Sequence, residues 1–121
     1  MLIGLRTVIY PVPDIDRAKA WYARALGVEP YYSEPFYVGF SVGGFELGLI
    51  PDGVPGTGGP QPLWGVADVA DALRQLIALG ATELEPPTDV GGGIVVAAVR
   101  DPFGNRLGLI HNPGFDASAV R

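Results

Sequence analysis

The chain has 121 residues, the length of a single domain, and neither half is long enough to bury a stable core alone. Hydrophobic residues make up 48% of the sequence and charged residues 17%, which is typical of a globular protein and excludes intrinsic disorder. The 13 acidic and 8 basic residues give a net charge of −5, which disfavours nucleic acid and anionic membranes as partners.

The sequence contains no cysteine, which excludes disulfides and thiolate chemistry and is typical of a reducing compartment. The N-terminus lacks a signal-peptide pattern, and no apolar run approaches the roughly 20 residues needed to cross a bilayer. We therefore expect a soluble, cytoplasmic protein that forms one domain over residues 1–121.

The first half of the chain predicts a strand, a helix and three more strands. The helix has an acidic cap at its start and a glycine at its end, and Gly43-Gly44 forms a hairpin turn between the last two strands. The predicted elements are a strand at 2–12, a helix from Asp14 or Asp16 to Gly27, and strands at about 28–32, 36–42 and 45–50. A linker rich in glycine and proline follows at 51–60.

The second half repeats this order of elements, and the string Leu-Gly-Leu-Ile ends both halves. Its predicted elements are a strand at 61–66, a helix ending at Gly80, an edge strand at 82–87, a strand at 94–100, a turn at Asp101-Pro102-Phe103-Gly104, and a strand at 107–110. Glu83 and Glu85 are interpreted as exposed charges that discourage edge pairing. We predict module one at about 2–50, the linker at about 51–60, module two at about 61–111 and a tail at 112–121.

The ordered landmarks of the two modules resemble the vicinal oxygen chelate superfamily, which includes glyoxalase I, bleomycin-resistance proteins, extradiol dioxygenases and methylmalonyl-CoA epimerase. The resemblance extends from about Thr7 to Ile110. The residues that carry it are Val12-Pro13-Asp14, Trp21-Tyr22, Ala25-Leu26-Gly27, Asp101-Pro102-Phe103-Gly104-Asn105 and Leu107-Gly108-Leu109. It implies an α+β fold in which two βαβββ modules form curved mixed sheets around a cavity, often in a homodimer.

The resemblance also implies four positions for the ligands of a divalent metal, one on the first and one on the last strand of each module. In this sequence they hold Thr7, Gly48, Gln61 and Gly108. Glycine offers no side-chain donor and a threonine hydroxyl is a poor ligand, so we expect no metal cofactor. Each residue also has an ordinary alternative role, because glycine in a strand commonly marks a bulge or a close backbone approach, and Gln61 could face solvent.

Strand parity extends this set, because residues two apart in a strand share a face. If the two glycines face the cavity, then Ile9, Glu46, Leu63 and Arg106 do so too. Glu46 and Arg106 occupy matching positions in the modules, and our hypothesis is that they meet near the pseudo-twofold axis, as an ion pair or as polar anchors for a ligand. The alternative is that both lie at a solvated rim.

Aromatic residues are concentrated between Tyr31 and Phe40. They predict either a wall for stacking a planar or aromatic small molecule, or a core or dimer contact. Trp21 is expected at the surface or an interface, and Trp64 under a helix. The predicted ligand-binding residues are Thr7, Ile9, Tyr37, Phe40, Glu46, Gly48, Gln61, Leu63, Arg106 and Gly108.

Three functions are consistent with this sequence. The first is a metal-free small-molecule binding protein of the bleomycin-resistance kind, which acts as a homodimer. The second is a lyase, isomerase or dioxygenase of the same superfamily that uses Glu46 as a general base or an unconventional metal site. The third is an accessory relative without a ligand. The loss of both ligand carboxylates favours the first.

Overall fold

The computed structural model describes Met1 and residues 5–120, and two strand–helix–three-strand modules account for most of it. Module one consists of β1 (Thr7–Pro11), α1 (Ile15–Leu26), β2 (Tyr32–Glu34), β3 (Tyr37–Val42) and β4 (Phe45–Ile50). Module two consists of β5 (Leu63–Gly65), α2 (Val69–Ala78), β6 (Thr82–Asp89), β7 (Val95–Arg100) and β8 (Arg106–His111). A short 3-10 helix, Ala117–Ala119, follows. The predicted α+β class is confirmed. Residues 2–4 of the first predicted strand and residue 121 of the predicted tail lie outside the described residues.

Each module forms its own four-stranded mixed sheet, with strand orders β1-β4-β3-β2 and β5-β8-β7-β6. The first strand of each module runs parallel to the last strand, and the other pairs are antiparallel. Ile9 lies opposite Gly48 in module one, and Leu63 lies opposite Gly108 in module two. The pairing of the first and last strands is therefore equivalent in the two modules.

Both helices begin at an aspartate that accepts a hydrogen bond from the first turn. Asp14 accepts from the backbone N–H of Arg17 at 3.1 Å, and Asp68 accepts from that of Asp71 at 3.0 Å. Gly27 ends α1 with a φ of 71°, a conformation that a side chain disfavours. Asp14 is thus the cap of α1, and Asp16 lies in its first turn.

The core lies between the helices and one face of each sheet. Its fully buried side chains include Tyr22 from α1, Phe40 and Leu47 from module one, and Leu109 from module two. Burying a side chain of this size contributes about 2–3 kcal/mol. The opposite face of each sheet carries more exposed side chains, such as Ile9 at 50% and Leu63 at 48%. A candidate site is therefore expected on those open faces.

Two sequence-based expectations are wrong because the residues belong to this core. Phe40, a predicted ligand-binding residue, is fully buried opposite Leu47, since its strand parity differs from that of Tyr37. Trp21, expected at the surface or an interface, is only 4% exposed, and its indole N–H donates to the carbonyl of Leu79 at 2.7 Å.

The turn at residues 101–105 joins the modules. The hydroxyl of Tyr22 donates to Asp101 Oδ2 at 2.5 Å, while Asp101 Oδ1 accepts the backbone N–H groups of Phe103 and Asn105. Burial, followed by the Asp101 charge, raises the pKa of Tyr22 well above its ordinary value. Since all three donors are satisfied at a buried carboxylate, this network fixes module two against α1.

Some strand bounds differ from the prediction where proline or a bulge interrupts pairing. The second strand begins at Tyr32 rather than near residue 28, after Pro30, which has no N–H to donate. Strand β5 is likewise shortened at its start by Pro62. In β6 the register shifts between Glu83 and Glu85. Over residues 5–120, the structure contains no helix that is long and apolar enough to cross a membrane.

Candidate functional site

A cavity of about 480 Å³ lies where the edge strand β1 of module one approaches the linker and the start of module two. We call it the intermodule groove. Four of the predicted ligand-binding residues line it, namely Thr7, Ile9, Gln61 and Arg106. The structure thus brings together the two first-strand positions of the modules and the charged residue of β8.

Side-chain hydrogen bonds to the backbone build the walls of this groove. The amide of Asn105 donates to the carbonyl of Pro11 at 2.6 Å and accepts from the N–H of Gly56 at 3.2 Å. The hydroxyl of Tyr10 donates to the carbonyl of Arg106 at 2.8 Å. Burial raises the pKa of Tyr10 to about 12, so it remains a neutral donor at physiological pH. The groove is therefore tied across β1, the linker and β8.

A second candidate site lies on the open face of module one. We call it the tyrosine–carboxylate cluster, and it consists of Tyr31, Tyr32, Tyr37 and Glu46. The hydroxyl of Tyr31 donates to one carboxylate oxygen of Glu46, and the hydroxyl of Tyr37 donates to the other. The ring of Tyr32 lies 6.2 Å from that of Tyr37, between centroids, at an interplanar angle of 61°. Two phenols thus hold one carboxylate, and a third aromatic ring packs against one of them.

The carboxylate influences the tyrosines that it binds. Burial and the hydrogen bond to Glu46 raise the pKa of Tyr37 to about 12. For Tyr31 the pKa is also raised, chiefly by its hydrogen bond to Glu46. Both phenols are consequently protonated donors at neutral pH, and each oxygen of Glu46 already accepts one hydrogen bond.

Two glycines make room for these rings. Gly39 and Gly48 lie opposite each other on β3 and β4. A Cβ at Gly39 would lie 3.1 Å from Tyr31 Cε1, and a Cβ at Gly48 would lie 2.8 Å from Tyr37 Cζ. The space above residue 48, where the resemblance implies a metal-binding carboxylate, is filled here by the phenol of Tyr37.

The equivalent face of module two is arranged differently. A Cβ at Gly108 would lie 2.5 Å from the carbonyl oxygen of Pro62 and 2.6 Å from Leu63 Cδ2. Arg106 forms an ion pair with Glu85 at 2.9 Å, and their side chains are 12% and 53% exposed. The predicted Glu46–Arg106 ion pair is therefore wrong, because each residue has a nearer partner in its own sheet.

The four positions implied for a divalent metal do not fit one. Thr7 and Gln61 lie in the groove, but they are a hydroxyl and a neutral amide, which bind such ions weakly. The side-chain space of Gly48 and Gly108 is filled by Tyr37, Leu63 and backbone. In the part of the chain that the structure describes, no group of three or more His, Cys, Asp and Glu side chains could hold a metal ion.

A larger cavity of about 830 Å³ lies beside α1 and contains none of the predicted ligand-binding residues. Arg17 and Arg24 line it together with the edges of Trp21 and Phe103, and the guanidinium of Arg17 lies 5.7 Å from the centre of the Phe103 ring. This cavity lies between the helix and the turn at 101–105. We take the intermodule groove as the candidate site instead, because it contains Thr7 and Gln61, which occupy matching positions in the two modules.

Sequence reasoning missed three residues that shape these sites. Tyr31 lies in the aromatic run but ahead of β2, so strand parity could not place it. Glu85 binds Arg106 because a bulge in β6 changes its register, which the sequence does not show. Asn105 directly follows the turn at 101–104, and its place in that motif could have indicated its structural role at the groove.

Comparison with known families and structures agrees with this architecture. The sequence model of the Glyoxalase/Bleomycin resistance protein/Dioxygenase superfamily matches residues 4–109. A glyoxalase-related enzyme from Fulvimarina pelagi superposes with a TM-score of 0.76 at 20% identity, covering 93% of this chain and 90% of that one.

Two further solved structures are similar to this chain. A superfamily member from Sphaerobacter thermophilus gives a TM-score of 0.75 at 21% identity, covering 93% of this chain and 99% of its own. A lactoylglutathione lyase from Agrobacterium tumefaciens gives 0.75 at 22% identity, covering 93% and 98%. A comparison with curated proteins found no match. At these identities the structures show the fold, and the family match shows that the chain belongs to the glyoxalase/bleomycin resistance protein/dioxygenase superfamily.

Proposed function

We propose that this chain binds a small organic molecule in the intermodule groove without a metal ion. The proposal depends on one observation: at both last-strand positions implied for metal ligands, other groups of the protein fill the side-chain space. Tyr37 occupies the side-chain space of Gly48, and Leu63 with the backbone of Pro62 occupies that of Gly108. A carboxylate could not be accommodated at either position without moving these groups, which supports binding without a metal ion.

The groove offers the mixture of surfaces that small-molecule sites use. Ile9 is 50% exposed and supplies an apolar wall, while Thr7 and Gln61 supply a hydroxyl and an amide that can donate or accept. Arg106 lies at one end with its charge balanced by Glu85. A neutral or weakly polar portion of a ligand suits this part of the protein.

A second copy of the chain is part of this proposal, because the open sheet faces leave apolar side chains in water. Ile9 and Leu63 lie on equivalent positions of β1 and β5 and are about half exposed. Association of two chains would cover such surfaces and enclose the groove. Native mass spectrometry should therefore show a dimer, and a monomer at micromolar concentration would contradict this part of the proposal.

The binding proposal is tested by combining that spectrum with a ligand screen. Purified protein with added Ni, Zn, Fe or Mn should show no stoichiometric metal, while compounds from a screen should raise the melting temperature. Gln61→Ala should weaken every groove ligand, whereas Gln75→Ala, an exposed glutamine on α2 that pairs with Asp71, should leave binding unchanged. One tightly held metal per chain, or equal behaviour of the two variants, would contradict the proposal.

The enzymatic alternative makes a different prediction. A base role for Glu46 would have to compete with its two phenols, because each carboxylate oxygen already accepts a hydrogen bond from tyrosine. We expect no turnover of a glyoxal–glutathione adduct or of a catechol by the purified protein. Turnover that Glu46→Gln abolishes would favour the lyase, isomerase or dioxygenase alternative.

A further inference from the structure

Glu46 is a partly buried carboxylate whose negative charge is not balanced within its own module. The ion pairs among the described residues are Arg74–Asp71 and Arg106–Glu85, and neither includes Glu46. Tyr31 and Tyr37 donate hydrogen bonds to it, but neutral phenols leave its net charge in place. A charge held away from bulk water is stabilised by a counter-charge, so the cluster lacks the one component that a ligand could supply.

The rings around Glu46 remain open to a ligand. Tyr31 is 63% exposed and Tyr32 is 41% exposed, although aromatic rings of this size usually gain most when they are covered. Gly39 and Gly48 let the rings of Tyr31 and Tyr37 lie close to the sheet, since a Cβ at Gly48 would collide with Tyr37 and a Cβ at Gly39 would lie 3.1 Å from Tyr31 Cε1. The cluster therefore combines exposed aromatic rings, packed closely on the sheet, with one carboxylate.

We propose that the tyrosine–carboxylate cluster recognises an alkylammonium group and so forms a second site, for an organic cation, next to the intermodule groove. This inference goes beyond the proposed groove function, because none of the four cluster residues lines the groove. Cations are attracted to the faces of aromatic rings, and surfaces built from several rings bind quaternary and substituted ammonium groups. The Glu46 charge adds a Coulombic attraction that is stronger at a partly desolvated site than in water.

The arrangement discriminates against the other ligand classes. An anion is repelled by Glu46, and the guanidinium at the matching position of module two, that of Arg106, is paired with Glu85. A neutral planar compound could stack on the rings but gains nothing from the charge. The hydrogen bonds from Tyr31 and Tyr37 to a carboxylate also polarise both phenols, which makes their ring faces better acceptors for a cation.

The test compares choline with 3,3-dimethyl-1-butanol, its neutral isostere of nearly the same shape. Titration of each into the full chain is followed by proton–nitrogen correlation spectra, with the amides of Gly39 and Gly48 as local reporters beneath the rings. Choline should shift both amides and bind about 10-fold more tightly than the isostere, because only choline carries the charge.

Charge-matched variants assign the effect to the cluster. Glu46→Gln keeps the shape and removes the charge, and should reduce choline affinity about 10-fold. Glu83→Gln removes the same charge from an exposed residue of β6 in module two and should leave the affinity unchanged. Tyr31→Leu removes an exposed ring without touching the core, so the protein stays folded, and should also weaken choline.

Equal binding of choline and its isostere, or an unchanged choline affinity in Glu46→Gln, would overturn the proposal, as would the absence of any shift at Gly39 and Gly48. The failure of this inference can be told from that of the proposed function. If neutral compounds bind and Gln61→Ala weakens them while choline does not bind, the ammonium site is wrong and the groove proposal stands. If no compound of either class binds, both are wrong.

Discussion

The open faces of the two modules use the same backbone for different chemistry. Glu46 and Arg106 hold equivalent positions, and so do Gly48 and Gly108. In module one the carboxylate is held by two phenols and keeps its charge, whereas in module two the guanidinium is neutralised by Glu85. The duplicated fold therefore holds an unbalanced carboxylate at one of two matching positions and a paired guanidinium at the other.

The paired glycines show how this difference arises. Above Gly48 lies the end of an aromatic side chain, and above Gly108 lie a backbone carbonyl and a leucine methyl group. Because glycine has no side chain, a neighbouring group fills the space above each of these positions. That group determines which chemical groups the sheet presents there. The absence of a metal-binding carboxylate at both positions thus has two structural outcomes, which the following variants separate.

The largest effect is expected for Gly108→Ala. The new methyl group would meet the carbonyl of Pro62 at 2.5 Å, and backbone cannot move aside as a side chain can. Overpacking of this kind typically costs 1–3 kcal/mol, and we expect about 3 kcal/mol because β5 must shift against β8. Urea unfolding measures the loss.

Gly65→Ala is the matched control, since Gly65 also lies on the module-two sheet and a Cβ there has no atom within 4 Å. Its free energy of unfolding should change by no more than about 0.5 kcal/mol, as for other substitutions without contacts. If both alanine variants were equally stable, the close approach of Pro62 to Gly108 would not exist in solution.

A smaller effect is expected for Gly48→Ala. The methyl group would lie 2.8 Å from Tyr37 Cζ, but Tyr37 can rotate away and break its hydrogen bond to Glu46. We expect a loss of about 1–2 kcal/mol and a fall in the pKa of Tyr37 from about 12 toward its ordinary value. Ultraviolet titration of tyrosinate measures the pKa, and an unchanged titration would show that the ring does not rely on Gly48.

The duplicated order of elements made most of the fold predictable. The aspartate caps, the glycine stops and the repeated Leu-Gly-Leu-Ile string are local signals, and local geometry enforces them. Strand parity then placed Ile9, Glu46, Leu63 and Arg106 on open faces because a strand has a strict period of two.

The site was only partly predictable because its contacts are not local. Parity also excludes Phe40 from the face of Tyr37, and grouping the two by their aromatic character led to the error. Trp21 is buried because the end of α2 and the turn at 101–105 pack against it, a tertiary contact that helix periodicity cannot reveal. The bulge that brings Glu85 to Arg106 is likewise invisible in sequence. Homodimer formation and a cytoplasmic location stay predictions.

The pH dependence of stability tests the Tyr37–Glu46 contact with an effect of about 1 kcal/mol, the usual contribution of one hydrogen bond. The pKa of Tyr37 is raised from 10.0 to about 12, so folding favours its protonated form. Its stabilising contribution is fully present below pH 10 and is lost as the pH rises toward 12. Wild-type stability should fall more steeply over this range than that of Tyr37→Phe.

Tyr32→Phe is the control for that experiment, because the Tyr32 hydroxyl makes no hydrogen bond within residues 5–120 and its ring still packs on Tyr37. Its pH profile should follow that of the wild type more closely than the Tyr37→Phe profile does. Identical profiles for Tyr37→Phe and the wild type would mean that the contact does not form in solution.

The smallest effect is expected for Glu85→Gln, which removes the counter-charge of Arg106. The Arg106 charge would then be unbalanced, as the Glu46 charge is in module one. Glu85 is 53% exposed, so water screens the pair, and the loss should be about 0.5 kcal/mol at low salt and smaller still at high salt. Urea unfolding at two salt concentrations measures it, with Glu83→Gln as the charge-matched control. A loss above about 2 kcal/mol that salt does not reduce would show that Arg106, whose side chain is 12% exposed, depends on Glu85 as a buried charge does. The Arg106 charge would then be paired because the stability of module two requires the pair, whereas module one is stable with the Glu46 charge unbalanced and can leave that charge for a ligand.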